Sequence, residues 1–476
     1  MAQTIEIPIN SKPYQNVEEF TLDTFSDELY DGFIDELGNS NKRPGLQDFS
    51  NPGTFGEIDG LYWWETQAML IIVSSGSVFK VTLTTGATTD ITGDKLETSG
   101  RVSFADNGTT LVMANGGRMV TTDGTTATAY IADGDAPTTV THVAFLDSWL
   151  LANKTGTAKF FYADFLAAPT TWLATSVFTA ESHPDNLLSL YVTKRTIILG
   201  GTESTEFWYN DGVSPFSRIQ GTTTARGVIA SYATAFANET GYFLDDRRRL
   251  VRLDGTTPVI LSTPFDKTIQ NFTTVTDVLM DYVTVLGRHF LLIAFPTENR
   301  TLVYDIQGDY WCEWSNWNAS SNKRNRFSGN SYVYARAWNK HLFGQVNNSE
   351  VYEMLNTVYQ DDGVDIHFTK TTGNIDHGDP SKRKRSYRLT MKLKTGVGLG
   401  AGGNTEPFLL VRWKDNNENE WSNWRYVSLK ISGKTRAIVT INNLGSYYTR
   451  KWQFKMTENI PFTIGKAYEE VDINEF

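Results

Sequence analysis

The chain has 476 residues, enough for two or three domains that each bury a core of their own. Its 43 basic and 54 acidic residues give a net charge of -11, which excludes a protein that coats nucleic acid over its whole surface. A single cysteine, Cys312, excludes an intramolecular disulfide, and no apolar run approaches the roughly 20 residues that span a bilayer. We therefore expect a soluble protein from a reducing compartment, with no membrane span, no secretory signal and a buried cysteine.

Residues 1–57 are predicted to form an N-terminal arm that is partly extended. Within it, IEIPIN (residues 5–10) alternates apolar and polar residues, which is typical of a strand. Two roles are open for this strand: it can close a ring of sheets by pairing near the other end of the chain, or it can pair with a neighbouring subunit. Residues 17–37 carry the best helical pattern, so helix is expected to be a minor component.

Residues 58–360 contain a repeated pattern in which an apolar strand leads through a tight turn to a second strand. The copies begin about 40 to 55 residues apart, which suits one four-stranded propeller blade per copy. Blades bury their faces against each other around an axis, so we predict a β-propeller. Six or seven blades are expected, because the weaker last copy can also be a bridge to the following region. The copies begin at Leu61, Val102, Val143, Leu187, Val228, Tyr282 and Tyr332.

Residues 361–385 are polar and are predicted to form a linker or edge hairpin that ends in a basic run. Residues 386–476 then contain six alternating segments, from YRLTMKLKTGVG to FTIGKAYEEVDI. This pattern predicts a C-terminal antiparallel β-sandwich. The expected fold class is therefore all-β, a β-propeller followed by a sandwich.

The charges are unevenly distributed along the chain. Residues 376–476 contain 17 Lys and Arg against 11 Asp and Glu, a net charge of +6, so the remainder carries -17. Four adjacent cations, Lys382, Arg383, Lys384 and Arg385, form the strongest candidate interaction site, because such a run needs solvent or an anionic neighbour. Three interpretations stay open: a solvated linker, a contact with an acidic surface of a partner, or a transient contact with DNA.

The segment AESHPD brings together a serine, a histidine and an aspartate at Ser182, His183 and Asp185. A hydrolytic triad needs side chains that face each other across a site, which consecutive residues do not provide. Pro184 and its polar neighbours favour a turn instead. No catalytic residue is therefore predicted here.

Other clusters are also predicted to be structural. Asp133 and Asp135 lack the later ligands of a calcium loop and are expected to form a simple turn. The consecutive Arg247, Arg248 and Arg249 are expected to lie at a solvated hairpin tip, because alternation prevents them from sharing one face. The six histidines form no zinc-binding spacing, and no phosphate-binding loop is recognisable, so no metal or cofactor is predicted.

Two stretches, AESHPDNLLSLYVTKRTIILGGTESTEFW and HFLLIAFPTENRTLVYD followed by Trp311 and Cys312, carry a family resemblance. GNSNKRPGLQDF near the N-terminus and YRLTMKLKTGVG support it. In this order, the chain resembles the tail accessory factors of short-tailed bacteriophages, also called packaged-DNA stabilisation proteins. The resemblance covers nearly the whole length.

The resemblance implies a homo-hexameric ring, a tail hub or nozzle, that joins a portal-adaptor ring above and a tail needle below, with tail fibres or spikes around it. Such a ring retains packaged DNA and then forms the channel for genome ejection, and the DNA passes through its lumen without sequence-specific binding. We therefore expect a structural virion protein of the tail, assembled in the host cytoplasm, and not an enzyme. The acidic surplus suits a conduit, since strong cationic contacts would slow a polyanion.

An alternative hypothesis comes from the aromatic content of 13%. Propellers also hold glycan sites, and glycan cleavage uses paired carboxylates that face one pocket. The alternative is therefore a propeller glycan-binding or glycan-cleaving tail protein.

Overall fold

The computed structural model describes residues 2–14, 17–18, 21–25, 27–54, 56–166, 170–180, 183, 185–212, 215–237, 239–261, 264–395, 407–416, 420–429 and 436–473. These residues form 45 strands, the short helix α1 at Asp266–Asn271, and 3-10 turns at Glu65–Gln67 and Arg336–Trp338. The all-β prediction is therefore confirmed. None of the helices within these ranges has the length and apolar character needed to cross a membrane.

The strands follow one another closely along the chain. Strands β1 to β7 are Gln3–Ile7, Val17–Glu18, Thr21–Phe25, Glu28–Tyr30, Gly32–Ile34, Ser40–Lys42 and Gly45–Ser50. Strands β8 to β15 are Ile58–Trp64, Met69–Ser74, Ser77–Val81, Thr88–Asp90, Ser103–Asp106, Leu111–Ala114, Val120–Thr122 and Ala129–Tyr130. Strands β16 to β23 are Val143–Leu146, Trp149–Asn153, Lys159–Asp164, Val177–Thr179, Leu187–Thr193, Thr196–Gly201, Thr205–Asn210 and Phe216–Arg218.

The second half of the chain continues in the same way. Strands β24 to β31 are Thr234–Ala237, Thr240–Leu244, Leu250–Asp254, Thr257–Ile260, Leu279–Val285, Arg288–Phe295, Arg300–Asp305 and Tyr310–Glu313. Strands β32 to β38 are Ser315–Asn318, Lys323–Arg326, Gly329–Ala335, Lys340–Gln345, Val351–Leu355, Gln360–Asp361 and Val364–Asp365. Strands β39 to β45 are Phe368–Thr371, Lys384–Lys394, Phe408–Asp415, Arg425–Ser428, Arg436–Tyr447, Arg450–Met456 and Thr463–Ile473.

The chain divides into two compact units. The repeat unit is Asp48–Asn299 with Ser328–Glu353, and the terminal unit is Met1–Gln47 with Arg300–Phe327 and Met354–Phe476. This division differs from the predicted boundaries, because residues 300–327 belong with both ends of the chain. The terminal unit is thus assembled from segments that are remote in sequence.

The repeat unit contains five four-stranded antiparallel sheets, β8 to β11, β12 to β15, β16 to β19, β20 to β23 and β24 to β27. Two further strand groups begin at β28 and β34. The first strands of these groups contact one another in chain order, with Tyr191 of β20 packing on Phe236 of β24, and β34 contacts β8. This cyclic order is the one expected of blades around a propeller axis.

Strand β9 explains why the repeats contain continuous apolar runs. Met69, Ile71 and Val73 on one face join the core between the first and second sheets. Leu70 and Ile72 on the other face join the core shared with the sheet of β34. Because both faces of the strand are buried, it has no polar alternation. The core lies between sheets and not within any single sheet.

The terminal unit contains a six-stranded sheet of order β43-β40-β45-β6-β5, in which β1 also pairs with β45. Strands of a second sheet run in the order β30-β31-β4-β39-β44-β41-β42. The six predicted C-terminal strands are found as β40 to β45. However, strands from residues 3–42 and 300–313 complete both sheets, so a sandwich formed by residues 386–476 alone is not confirmed.

One expectation for the N-terminal segment is met in part and one was wrong. Strand β1 pairs with β45 at the other end of the same chain, with Gln3 opposite Val471 and Ile7 opposite Ala467. This end-to-end pairing was one of the two open roles, but it completes a sheet of the terminal unit and not the ring of four-stranded sheets. The best helical pattern, residues 17–37, forms strands β2 to β5. Asp31 has a φ of 53°, which interrupts a right-handed helix, and β4 pairs with strands on both sides.

Residues 361–385 begin with an edge hairpin, one of the two predicted alternatives, since β37 pairs with β38 at the edge of a sheet. The segment is not a linker, however. Strand β39 within it is buried at all four residues and pairs with β4 and β44. Strand β40 begins inside the basic run, at Lys384. The polar composition of the segment hid a strand in the middle of a sheet.

Replacing a leucine at the contact between sheets is expected to destabilise the fold strongly. Leu151 of β17 is fully buried in the core shared by the third and fourth sheets. We expect Leu151→Ala to lower the free energy of unfolding by about 2 to 5 kcal/mol, measured by urea denaturation. Leu83→Ala is the matched control, since Leu83 is 59% exposed, and should change it by less than about 0.5 kcal/mol. Equal effects of the two substitutions would contradict this packing.

Candidate functional site

The basic run does not form one continuous cationic surface. Lys384 is fully buried, and its Nζ donates hydrogen bonds to the carbonyl of Tyr448 at 2.8 Å and to that of Asp379. Burial lowers the pKa of Lys384. Arg383 and Arg385 are exposed, because alternation along the start of β40 sends neighbouring side chains to opposite faces. The solvated-linker interpretation is therefore wrong for Lys384.

The remaining cations of the run lie at an open surface. Lys382 lies 3.7 Å from the carboxylate of Asp379. Arg383 and Arg385 line a shallow depression of about 680 Å³ together with Tyr387 and residues of β43. The run thus presents two arginines to solvent, and this surface can meet an anionic group on another molecule.

Within the ESHPD segment the structure describes His183 and Asp185, whereas Glu181, Ser182 and Pro184 lie outside the described residues. The Asp185 carboxylate accepts hydrogen bonds from the backbone N–H groups of Glu203 and Ser204, both at 2.9 Å. It also accepts one from the Ser204 hydroxyl at 3.1 Å. Asp185 therefore bonds backbone groups of the loop between β21 and β22, and not only those of a local turn.

A glycine next to Asp185 explains part of the motif GGTES. A Cβ atom at Gly201 would lie 2.3 Å from an Asp185 carboxylate oxygen, so a side chain there would displace the aspartate. Asp185 and Gly201 together therefore fix the conformation of the loop between β21 and β22. Its carboxylate is occupied by backbone donors, so it has no partner for acid-base chemistry in this arrangement.

The Asp133 loop behaves as expected. Its carboxylate accepts a hydrogen bond from the N–H of Asp135 at 2.9 Å, as in a simple turn. Within the described ranges, no three His, Cys, Asp or Glu side chains are grouped so that they could hold a metal ion.

The three consecutive arginines behave differently from one another. Arg247 and Arg249 are exposed, as expected of a hairpin tip. Arg248 lies at the same hairpin tip between β25 and β26 but is not solvated as expected, because its guanidinium donates hydrogen bonds to the carbonyls of Gln270 and Phe272 at 2.8 Å each. These carbonyls lie at the end of α1, where the helix leaves acceptors unsatisfied.

A buried ion cluster in the terminal unit was not predicted. Arg43 is fully buried, and its guanidinium bonds the carboxylates of Asp31 at 3.1 Å and Asp361 at 2.8 Å, and the carbonyl of Ser315 at 2.8 Å. Asp31 also bonds Arg324 at 2.7 Å. Two guanidinium groups and two carboxylates thus join all three segments of the terminal unit. We call these four side chains the Arg43 cluster.

A second ion pair lies near the axis of the repeat unit. Arg101, at the start of the second sheet, donates hydrogen bonds to the Asp281 carboxylate and to the carbonyl of Asn330. A cavity of about 290 Å³ lies beside it, lined also by His142, Tyr191 and further residues near the first strands. The ion pair therefore ties the second sheet to the strands that close the ring.

His142 lines this cavity, and burial shifts its pKa strongly. Burial lowers its pKa to about 3, so the ring is neutral at physiological pH. Its Nε2 lies 3.1 Å from the hydroxyl of Tyr191, whose pKa is raised by burial. A neutral imidazole beside an un-ionised phenol provides no charged acid-base pair. The arrangement is structural.

Sequence reasoning missed both ion clusters. Arg43 lies in GNSNKRPGLQDF, which contributed to the family resemblance, but nothing in that stretch singles out its arginine as buried. Arg101 and Asp281 are 180 residues apart, and only the ring of sheets brings them together. The one local signal of an unusual environment was that Arg43 directly precedes Pro44 and Gly45.

Removing the Arg43 guanidinium is expected to destabilise the terminal unit. Arg43→Met would leave buried carboxylates without their cation, which costs about 3 to 5 kcal/mol, measurable by chemical denaturation at pH 7. The loss should be smaller at low pH, because burial raises the pKa of Asp361 and this carboxylate can take up a proton. The matched control Arg383→Met removes an exposed guanidinium and should cost less than about 0.5 kcal/mol. A stable Arg43→Met protein would contradict the importance of the cluster.

Acid is expected to weaken the repeat unit through His142. The folded histidine has its pKa lowered to about 3, whereas the unfolded one titrates near 6.5, so stability is retained above pH 6.5 and lost as the pH falls. Comparing wild type with His142→Gln, the difference in unfolding free energy should shift by about 2 to 3 kcal/mol between pH 7 and pH 4.5. Parallel pH profiles for the two proteins would contradict this expectation.

Comparisons with known proteins give one informative match. A search of curated proteins finds none that matches. Among solved structures, the extracellular domain of BT4673 from B. thetaiotaomicron is 10% identical, with a TM-score of 0.45 over 87% of this chain. The chain spans 62% of the length of that protein.

Two other solved structures are similarly distant. A chain from S. cerevisiae dbp5 bound to nup159 and gle1 is 12% identical, with a TM-score of 0.41 over 69% of this chain and 98% of its own. The computationally designed Ika8 protein is 11% identical, with a TM-score of 0.38 over 72% of this chain and 100% of its own. TM-scores this low carry no argument about the protein.

The sequence profile of a phage stabilisation family, described as "Bacteriophage P22 Gp10, beta-propeller", matches residues 37–359. This match covers more than half of the 476 residues. It includes the Arg43 segment, the whole repeat unit from β8 onward and the ESHPD segment. The family resemblance found in the sequence is confirmed, and the chain belongs to the phage stabilisation family of bacteriophage P22 Gp10.

Proposed function

We propose that this protein is a structural component of the phage tail, a hub or nozzle ring beneath the portal-adaptor complex. The ring is a homo-hexamer that retains packaged DNA and forms the channel for genome ejection. It contacts a tail needle below and tail fibres or spikes around it, after assembly in the host cytoplasm. The family match over residues 37–359 is the observation that carries this proposal.

The interior of the repeat unit supports a channel built by several copies. Buried side chains fill the spaces between successive sheets, and Arg101 reaches across to Asp281 and Asn330. The cavity beside this pair is about 290 Å³, which is the size of a small-ligand site. Duplex DNA is much wider than such a cavity, so its channel has to lie between copies.

We infer seven blades for the propeller. The seven first strands, β8, β12, β16, β20, β24, β28 and β34, follow one another around the repeat unit. Leu342 and Val351 of the last group share a core with Ile72 of the first sheet. This core supports closure between the seventh and first blades.

We interpret the terminal unit as sandwich-like. The Arg450 guanidinium of β44 lies 3.9 Å from the carboxylate of Glu469 on β45, and both side chains are fully buried, so groups from its two sheets meet in one interior. Strands from the N-terminal segment and from residues 300–313 belong to this arrangement, which makes it larger than a C-terminal domain.

A structural role needs no catalytic residue and no cofactor. The aromatic content that motivated the glycan alternative is used in packing, since Trp64, Trp172, Trp314 and Trp452 are fully buried. The acidic surplus of -17 outside residues 376–476 suits a conduit that passes DNA without sequence-specific binding.

Phage particles assembled without this protein test the proposal. We expect capsids with portal and adaptor to lose their DNA, and purified protein to restore DNA retention and a six-fold layer visible by cryo-electron microscopy. The variant Leu83→Ala should restore both as well as wild type. Particles that retain DNA without the protein, and gain no layer when it is added, would falsify the proposal.

A further inference from the structure

The six-stranded sheet of the terminal unit carries an unusual outer surface. Strands β40 and β43 contain six Lys and Arg and no Asp or Glu. Alternation along β40 directs Leu389, Met391 and Leu393 into the core and leaves Lys392 and Lys394 exposed on the other face. The charge of these strands is therefore concentrated on one side of the sheet.

Three of these cations form a cluster that we call the cationic face: Lys392, Lys394 and Arg436. Lys394 lies directly opposite Arg436 in the pairing of β40 with β43, and Lys392 is two residues further along. No carboxylate forms an ion pair with these three among the residues that the structure describes. Like charges directly opposite each other destabilise a sheet, so this surface favours an anionic neighbour.

Two other cations of the same strands are already neutralised or buried. Arg388 forms an ion pair with Glu470 at 2.6 Å, and Lys384 bonds carbonyl groups in the interior. Arg385 lies opposite Asp472 of β45 and is exposed at the start of β40. The cationic face lies at the opposite end of β40 from Arg385.

Apolar and aromatic side chains accompany the cationic face. Ile438 lies directly opposite Lys392 and is 73% exposed. The Nζ of Lys392 lies 5.6 Å from the ring of Tyr468 on β45, the other strand that pairs with β40. Aromatic and arginine side chains together are typical of protein interfaces, whereas a surface for the DNA backbone relies on cations alone.

We propose that the cationic face docks on the acidic surface of a second copy of this chain. Residues 376–476 carry +6 and the remainder -17, so each copy supplies both sides of such a contact. Residues 58–142 alone hold nine acidic and four basic residues. Acidic side chains that this stretch exposes include Asp90, Asp94, Asp123 and Asp135.

The contact joins two different surfaces of the same chain. Contacts of this kind repeat from copy to copy, and they generate a closed ring when the rotation between copies closes. This inference rests on the proposed ring and adds the surface that holds it together. The ring is then stabilised by charges that lie at the edge of the terminal unit.

Sedimentation of the full-length protein over a range of concentrations tests the inference. Wild type should form oligomers at about 0.1 M salt and dissociate at about 1 M, where the screening length falls to about 3 Å. Reversing the charges in Lys392→Glu, Lys394→Glu and Arg436→Glu together should weaken association by about 100-fold or more. A second variant, with alanine at the same three positions, should weaken it less.

The matched control reverses three exposed lysines that belong neither to residues 58–142 nor to the cationic face, Lys159→Glu, Lys267→Glu and Lys323→Glu, and has the same net charge. It should associate like wild type, and near-ultraviolet circular dichroism should show all variants folded. Wild type that stays monomeric at low salt, or a reversed cationic face that associates like the control, overturns the inference. Unchanged association with loss of DNA co-sedimentation also overturns it and assigns the face to a polyanion.

The outcome of the sedimentation experiment is independent of the particle experiment that tests the proposed function. DNA retention by particles reports on the tail role, whichever surfaces join the copies. Failure of the sedimentation experiment therefore removes the docking surface alone, whereas retention of DNA by particles without the protein removes the tail role.

Discussion

Burial of both faces of each sheet is the constraint on which the repeat unit depends. Strand β9 places Leu70 and Ile72 against one neighbouring sheet and Met69, Ile71 and Val73 against the other. A blade with one neighbour would leave half of this apolar surface in water. The cyclic order of sheets gives each sheet a neighbour on either side. The apolar cores between neighbouring sheets are a direct consequence of this order.

Charged groups provide the long-range links that the apolar cores lack. The Arg43 cluster joins three segments of the terminal unit, and Arg101 joins the second sheet of the repeat unit to the strands near its closure. Each buried guanidinium has a fixed number and direction of donors, so it accepts few alternative partners. Apolar contacts tolerate small shifts between elements, whereas these ion pairs specify which elements meet. Both units thus use ion pairs to join segments that are remote in sequence.

Much of the fold could be predicted because its signals are local. The periodicity of the repeats that begin at Leu61 and Val102 predicts sheets, and the six C-terminal strands show a clear alternation of apolar and polar residues. Predictions failed where partners come from elsewhere in the chain. The strands at residues 17–37, the buried strand β39 and the burial of Lys384 all depend on contacts with strands from other parts of the chain. The donors to Asp185 come from a loop 18 and 19 residues later. Arg43 was missed because both of its carboxylate partners are distant or unremarkable in sequence.

Closure of the ring by its last strands has a consequence for synthesis on the ribosome. Ile72 of the first sheet shares its core with Leu342, which is made 270 residues later. At a synthesis rate of about 5 to 20 residues per second, the apolar face of the first sheet that packs on Leu342 stays unburied for roughly 15 to 50 seconds. During that interval the nascent chain exposes strand edges and apolar surface that favour aggregation or exchange between neighbouring chains. The order in which the strands emerge therefore leaves this face without its packing partner until the last group of strands has been synthesised.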